Sequence, residues 1–519
     1  MPSLTIAQAH DLALSHHRAG QLAEAESIYR QILAIAPDHA PTLSMLGMLA
    51  RQQGRLNDSL ELTTRAAALD PGSALPHFNH AQSLAAAGMI EPAIESYRRV
   101  VSLQPDQFEA HNNLGNLLRT SGALREAADS LRRAVALRPD LAQPQFNLGN
   151  TLADIGLTEE AAVAFARTIE LQQDHAEAHL NLGNIDRLGG RLPEAAEHYR
   201  RAIAARPDYA EAHWSLGLIH LQEGDYSHGW REFEARLAVK GFPVRVYNKP
   251  IWDGADLNGR RILLHSEGGF GDTLQFVRYA KLVRERRGGR VLIQCMPELK
   301  RLLTGNCGIE LVIGDDETPP EFDVHCPLLS LPLRFDTTLE SIPVDVPYLQ
   351  ADPTIAERWC EKLGARNGKK IGLVWAGSAK HLNDANRSIS LNLLAPLAHG
   401  PNIRLISLQK HRLDRPESQT PAGLETESYS DDLHDFADTA ALISQLDLVI
   451  GVDTAIVHLA GALGKATWVL LSEPAEWRWL LNRTDSPWYP TMRLFRQPRA
   501  GDWAAAIAEL VKALRVSFE

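Results

Sequence analysis
Cysteine is scarce in this chain. Its 519 residues hold four, Cys295, Cys307, Cys326 and Cys360, with no CxxC spacing. That excludes a disulfide-stapled fold and a structural zinc, and it suits a reducing compartment. Long apolar runs are missing as well. The most apolar stretch, residues 446–471, is interrupted by Asp447, Asp453, His458 and Lys465, which would be costly inside a bilayer. The N-terminus MPSLTIAQAHDLALSHH lacks a basic segment followed by an apolar core, so no secretory signal is read there. No basic run occurs and the net charge is -11, which argues against a nucleic-acid partner. The expectation is a cytoplasmic protein of bacterial type with no membrane span, its length suggesting about three domains.

What the chain has is a period. Gly20, Gly54, Gly88, Gly122, Gly156, Gly190 and Gly224 follow one another every 34 residues. Pro37, Pro71, Pro105, Pro139 and Pro207 keep the same step, with Gln173 in the remaining place. Between them fall small residues (Ala25, Ala93, Ala127, Ala161, Ala195) and large ones (Tyr29, Tyr97, Leu131, Phe165, Tyr199). A helix–turn–helix unit needs this order: glycine turns the chain, alanine lets two helices approach, and proline follows the second helix. The pattern resembles tetratricopeptide repeats, about seven over residues 1–240, forming an α-solenoid whose work is recognition. The last unit, LGLIHLQEGDYSHGWREFEAR, keeps Gly217 and Gly224, puts Gly229 at the helix-B alanine, and adds Trp230 and Phe233. Those aromatics are expected of a repeat that docks on something other than a repeat.

Residues 241–260 are punctuated by proline and glycine and read as a connector. After Arg260 the texture becomes strand–helix alternation. RILLHSEG, RVLIQC, IELVIG and FDVHCPL are strand-like, with helical stretches at 272–287 and near 297–304. From about 353 come KIGLVWAG, NIRLISLQK, DLVIGVD and KATWVLLS. Near-continuous apolar strands between helices predict parallel sheets covered on both faces. Two Rossmann-like lobes are therefore expected, at 261–352 and 353–519, with the final helix DWAAAIAELVKAL packed on one of them.

Within the repeats the phrase NLGN recurs, giving Asn113 and Asn116, Asn147 and Asn150, Asn181 and Asn184, with Asn79 in an earlier unit. Positions i and i+3 share a helix face. An amide offers both a donor and an acceptor, so such a ladder could hold the backbone of an extended peptide. The alternative is that these side chains bond neighbouring repeats or stay hydrated.

Two segments of the second half carry candidate chemistry. HSEGGFGDTLQFVRYAKL places Gly269 and Gly271 in a turn between a strand and a helix beginning near Asp272, with backbone N–H groups ready for an anion. A dinucleotide fingerprint fails because Leu274 stands at its third glycine, and a Walker loop fails for want of its lysine ending. GVDTAIVHLAGALGKATWVLL ends a strand at Asp453-Thr454-Ala455 and opens a helix carrying His458. That start suits a diphosphate, or else Asp453 or Thr454 is an ordinary cap and His458 an interior residue.

GGFGDTLQF and GVDTAIVHLAGALG look like the two signature regions of the heptosyltransferase family. The whole chain is similar to bacterial tetratricopeptide-repeat glycosyltransferases, with DFADTAALISQLDLVIGVDT and SPWYPTMRLFRQ among the shared phrases. Its architecture is similar to that of O-GlcNAc transferases and soluble flagellin glycosyltransferases. The resemblance implies a GT-B fold, a nucleotide-sugar donor as substrate, no cofactor and no metal; no Asp-x-Asp triplet occurs. It implies Asp272 as general base, and Asp453, Thr454, Ala455 and His458 at the donor, although the family usually has glycine where Ala455 stands. Its cationic phrase is matched only loosely, by Lys380 and Arg387. Gln409 and Lys410 end a strand where α/β sites gather, or form a solvated strand end.

In this scheme Asp272 takes the acceptor proton, worth roughly 10²–10⁴-fold, while Arg387 and the Thr454 helix start stabilise the leaving diphosphate. Single displacement inverts the anomeric centre. A carboxylate at a helix start is stabilised as the anion, so Asp272 as a mere helix cap stays open. The first lobe is short for a heptosyltransferase, so the acceptor is expected to be a protein held by the repeats. A cell-surface glycan precursor, or a scaffold with a degenerate α/β half, is the alternative. Trp477, Trp479, Trp488 and Tyr489 either line the cleft or pack between lobes.

Overall fold
The computed structural model describes residues 4–365, 368–379, 383–399, 403–410 and 424–518. The chain divides into two compact units, Met1–Ile185 with Arg201–Pro207, and Asp186–Arg200 with Asp208–Glu519.

The first unit is a run of helix pairs, beginning with Ile6–Arg18 and Leu22–Ile35 and continuing through Ala142–Ile155 and Thr158–Leu171. Its turns close as the glycine period requires. Gly20, Gly54, Gly88, Gly122 and Gly156 all have φ between +75° and +88°, a region that disfavours residues with a Cβ. The amide after each glycine returns to a carbonyl five residues back, as in Met89 to Leu84 at 2.9 Å, which ends the helix. Ala25, Ala93, Ala127 and Ala161 are fully buried, and Tyr29, Tyr97, Leu131 and Phe165 are at most 2% exposed. A second glycine sets the closest approach: a Cβ on Gly115 would stand 2.5 Å from Leu131 Cγ.

The second unit takes in Asp186–Arg200 and the last helix pair, Ala210–Glu223 and Tyr226–Phe233, and then forms two all-parallel sheets. Strands β1 (Arg261–His265), β2 (Arg290–Cys295), β3 (Leu311–Gly314) and β4 (Val324–Pro327) lie in the order β3-β2-β1-β4. Strands β5 (Lys369–Val374), β6 (Ile403–Ser407), β7 (Glu427–Ser428), β8 (Leu448–Val452), β9 (Thr467–Leu471) and β10 (Met492–Arg496) lie in the order β10-β9-β8-β5-β6-β7. All five residues of β8 and of β9 are buried, so helices cover both faces. On one face Ile371, Leu405 and Ile450 pack with Ile507, Leu510 and Leu514 of the closing helix Trp503–Phe518. On the other, Val449 and Val469 join a core that runs through Leu442 and Val457 to Ile262 and Ile293 of the first sheet.

Three details depart from the sequence expectation. The helix expected at 272–287 is two, Phe270–Phe276 and Tyr279–Arg287. The break is at Arg278, which is 3% exposed and donates to the carbonyls of Gln275, Pro343 and Trp488. The connector is pinned to β4: Trp252 N–H donates to the His325 carbonyl at 2.8 Å, and His325 N–H to that of Pro250 at 3.1 Å. Strand β10 was hidden because Met-Arg-Leu-Phe-Arg carries two charges, as an edge strand does.

Candidate functional site where the two sheets meet
In each sheet the strand order reverses at one place, between β1 and β4 in the first and between β5 and β8 in the second. The crevice beyond the strand ends at such a reversal is where open parallel sheets bind ligands. The two glycine- and alanine-rich segments singled out above leave β1 and β8 at those positions, and they touch. A Cβ on Gly271 would stand 3.0 Å from His458 Cδ2 and 3.8 Å from Ala455 Cα. The helix Phe270–Phe276 thus lies directly on the helix Ala455–Ala462, close enough that a side chain at Gly271 would press on the His458 ring.

Asp272 is the third residue of its helix, with Gly269 as N-cap. Its Oδ1 accepts from Arg478 Nη2 at 2.6 Å, and its side chain remains 31% exposed. Arg478 also pairs with Glu476 and donates from Nε to Gln275 Oε1 at 3.0 Å. Burial pushes the Glu476 carboxyl up to about 6, with Asp453 and Asp272 adding to the rise and Arg478 opposing it. Asp453 behaves oppositely. Burial works against its charge, yet bonding from His458 and Trp479 and the Arg478 charge hold it at about 2. Trp479 Nε1 donates to Asp453 Oδ2 at 2.8 Å. His458 is pushed down by burial, with Asp453 opposing the shift, and its Nδ1 lies 3.0 Å from the Tyr489 hydroxyl.

Thr454 is the N-cap of the Ala455–Ala462 helix, but its side chain makes no cap bond. It is 9% exposed and its hydroxyl has no partner among the described residues. A buried orphan hydroxyl costs free energy unless something arrives to bond it. Beside it, Arg387 Nη1 donates to the Asp453 carbonyl at 3.1 Å, and its guanidinium covers Gly377. Gln409 Oε1 accepts from Ala376 N–H at 3.1 Å, tying the end of β6 to that of β5. Lys380 lies outside the described residues.

The sheets therefore bring together Gly271, Asp272, Asp453, Thr454, Ala455, His458 and Arg387. Sequence reading missed Glu476 and Arg478. Their signal was two charges alternating with Trp477 and Trp479 just after β9, a strand end beside β8. Of the aromatic set, Trp479, Trp488 and Tyr489 are fully buried and Trp477 is 7% exposed. They pack, and Trp479 also orients Asp453.

In the helical array several Asn side chains bond across repeats. The amide nitrogens of Asn79, Asn147 and Asn181 donate to Ser44, Asn112 and Asn150 of the preceding repeat at 2.8–2.9 Å, and Asn113 donates to the Tyr97 hydroxyl at 3.1 Å. These bonds link neighbouring repeats. Asn116, Asn150 and Asn184, one helical turn further on, are half-buried, and Asn150 is itself the acceptor for Asn181 of the next repeat.

Comparison with known proteins bears on the helical array. Residues 5–72 and 78–142 match family models described as tetratricopeptide repeat, and residues 183–224 one described as TPR repeat. The N-terminal array is a tetratricopeptide-repeat domain. Protein FlbA of Caulobacter vibrioides is 26% identical over 329 residues, which are 57% of this chain. The match spans 54% of the length of that curated relative. Among solved structures, YrrB, a TPR protein with an unusual peptide-binding site, is 22% identical with a TM-score of 0.33, covering 36% of this chain and 95% of its own. MamA is 22% identical with a TM-score of 0.31, covering 33% and 94%. PilF of Pseudomonas aeruginosa is 18% identical with a TM-score of 0.34, covering 39% and 90%. No helix among the described residues is long and apolar enough to cross a membrane.

Proposed function
We propose that the second unit is a glycosyltransferase of GT-B architecture, and that the repeats, a module suited to protein or peptide recognition, hold its acceptor. The observation that carries this reading is the contact of Gly271 with His458 and Ala455. With Asp272 next to Gly271, it supports a reading in which an acid from one sheet and a helix start from the other face one ligand. In the proposed reaction a nucleotide-sugar donor sets its diphosphate against Thr454 Oγ1, the N–H groups at the start of the Ala455–Ala462 helix, and Arg387. Asp272, held by Arg478, takes the proton of the acceptor hydroxyl as that oxygen attacks the anomeric carbon from the opposite face. The diphosphate leaves with its charge stabilised electrostatically, and the centre inverts. Residues 261–352 would form the acceptor-side lobe and 353–519 the donor lobe, within a cytoplasmic protein needing no metal.

A second reading is a repeat scaffold with a non-catalytic α/β half. It is favoured by family matches that fall in the repeats and by the Arg478 bond that already occupies one oxygen of Asp272. Thermal denaturation with UDP-, ADP-, GDP- and CMP-linked sugars separates the two readings, because a ligand that binds only the folded chain raises the transition as its concentration exceeds its Kd. The transferase reading expects one nucleotide class to raise the midpoint and Thr454→Ala to reduce the rise. No rise with any class, together with no donor hydrolysis, leaves the scaffold.

A further inference from the structure
The turn that carries the site's glycines is held by a side chain the sequence assigns to the repeats. Glu267 lies between β1 and Gly268-Gly269, and its side chain is 1% exposed. Both its oxygens face Arg236, with Nε to Oε1 at 3.0 Å and Nη2 to Oε2 at 3.0 Å, and Leu329 N–H adds a third bond at 3.1 Å. Arg236 is fully buried in the 3-10 turn Glu234–Ala238, directly after the last repeat helix. Its remaining donors reach Glu234 Oε2 at 2.9 Å, Ser330 Oγ at 2.8 Å and the Phe233 carbonyl at 3.4 Å. Every nitrogen of the guanidinium is engaged. The same helix braces the other arm of the site: Trp230, 2% exposed, meets Trp477 edge-on at 5.4 Å, and Trp477 adjoins the Arg478 that holds Asp272.

Taking two charges fully out of water is expensive, and an apolar pair of similar size often stabilises a fold as well or better. Burial pushes the Glu267 carboxyl upward even with Arg236 beside it. What the pair adds is direction, since a planar fork on a carboxylate fixes both oxygens and the backbone that bears them.

We infer that Arg236 is a positioning residue: through Glu267 it sets the Ser266–Asp272 turn, and the seventh repeat is thereby a component of the α/β site rather than of the recognition array. The inference rests on the proposed function only for what the turn serves, not for how it is held.

The test uses the full chain in three forms, wild type, Arg236→Lys, and the double variant Arg236→Leu with Glu267→Leu. Hydrogen exchange is read at residues 266–273 and over the rest of the molecule. The expected result for the double variant is a thermal midpoint close to wild type, with amides of the turn exchanging roughly tenfold faster. Wild-type exchange in the turn overturns the inference. Should the double variant fail to fold, Arg236→Lys decides, because it keeps the charge and loses the fork. Faster exchange confined to the turn supports positioning, and an unchanged turn overturns it. The exchange readout needs no ligand, so a wild type that answers to no nucleotide sinks the transferase reading and leaves this result standing.

Discussion
The helical array and the α/β unit place their polar side chains by different rules. In the array, partners sit about one repeat apart: Asn147 reaches Asn112 across 35 positions and Asn181 reaches Asn150 across 31. In the α/β unit the decisive contacts have no common interval. Arg478 reaches Asp272 across 206 positions and Arg387 reaches Asp453 across 66. A solenoid repeats its nearest-neighbour interface, so its bonding recurs with the period. A crevice at strand ends is assembled from segments that only the fold brings together. The contrast predicts that lesions in the array stay local and modest, whereas lesions in the crevice are felt by the whole site.

The largest effect belongs to the proposed base. Asp272→Asn is expected to lower donor hydrolysis roughly 10²–10⁴-fold, while Asn147→Ala leaves that rate unchanged. Equal rates for Asp272→Asn and wild type would remove the base assignment. Next comes Trp230, whose truncation to alanine deletes a core aromatic at a cost of about 3–5 kcal/mol. Hydrogen exchange should show the loss in the α/β unit, with Ile6–Leu171 retaining its protection; a loss spread over those repeats would blur the boundary drawn here.

A finer test divides the asparagines. Asn147→Ala removes a bond to the preceding repeat and is expected to destabilise the array by about 1 kcal/mol in denaturant unfolding. Asn116→Ala, at a position bonded to no neighbouring repeat among the described residues, should shift stability by less than about 0.5 kcal/mol and weaken capture of an extended peptide instead. Indistinguishable behaviour of the two variants would undo the division of labour.

The smallest effect is one of pH. Burial holds the folded carboxyl of Glu476 at about 6, above the ordinary 4.5 of a glutamate. An acid raised on folding contributes stability below its unfolded value and loses it as pH rises through the folded value. The wild-type midpoint should therefore fall between pH 4.5 and just above 6 relative to Glu476→Gln. A constant difference across that window would contradict the assignment.

These scales explain what the sequence could disclose. The turn glycines, the alanines and the strand runs were legible because each follows from local backbone geometry or from a period. Asp453 and Thr454 were legible as a strand end opening a helix, and Asp272 as the start of a helix after a glycine turn. Arg478, Glu476 and the Arg236–Glu267 pair were not, since a charged residue beside tryptophans or in a repeat's last turn reads as surface until the partner is known. The NLGN ladder was legible as a pattern and ambiguous as a role. Spacing cannot say whether an amide faces a groove or the next repeat.

The account depends most on one cavity being shared by both sheets, and binding to the Thr454 helix start tests that most directly. Titration calorimetry with the nucleoside diphosphate selected by thermal denaturation should give affinities at least about tenfold weaker for Thr454→Ala, a buried hydroxyl partner having been lost. Gly271→Val, which drives a side chain into His458, should weaken binding at least as much from the opposite sheet. Unchanged affinity in both variants would mean that the two segments do not share a ligand.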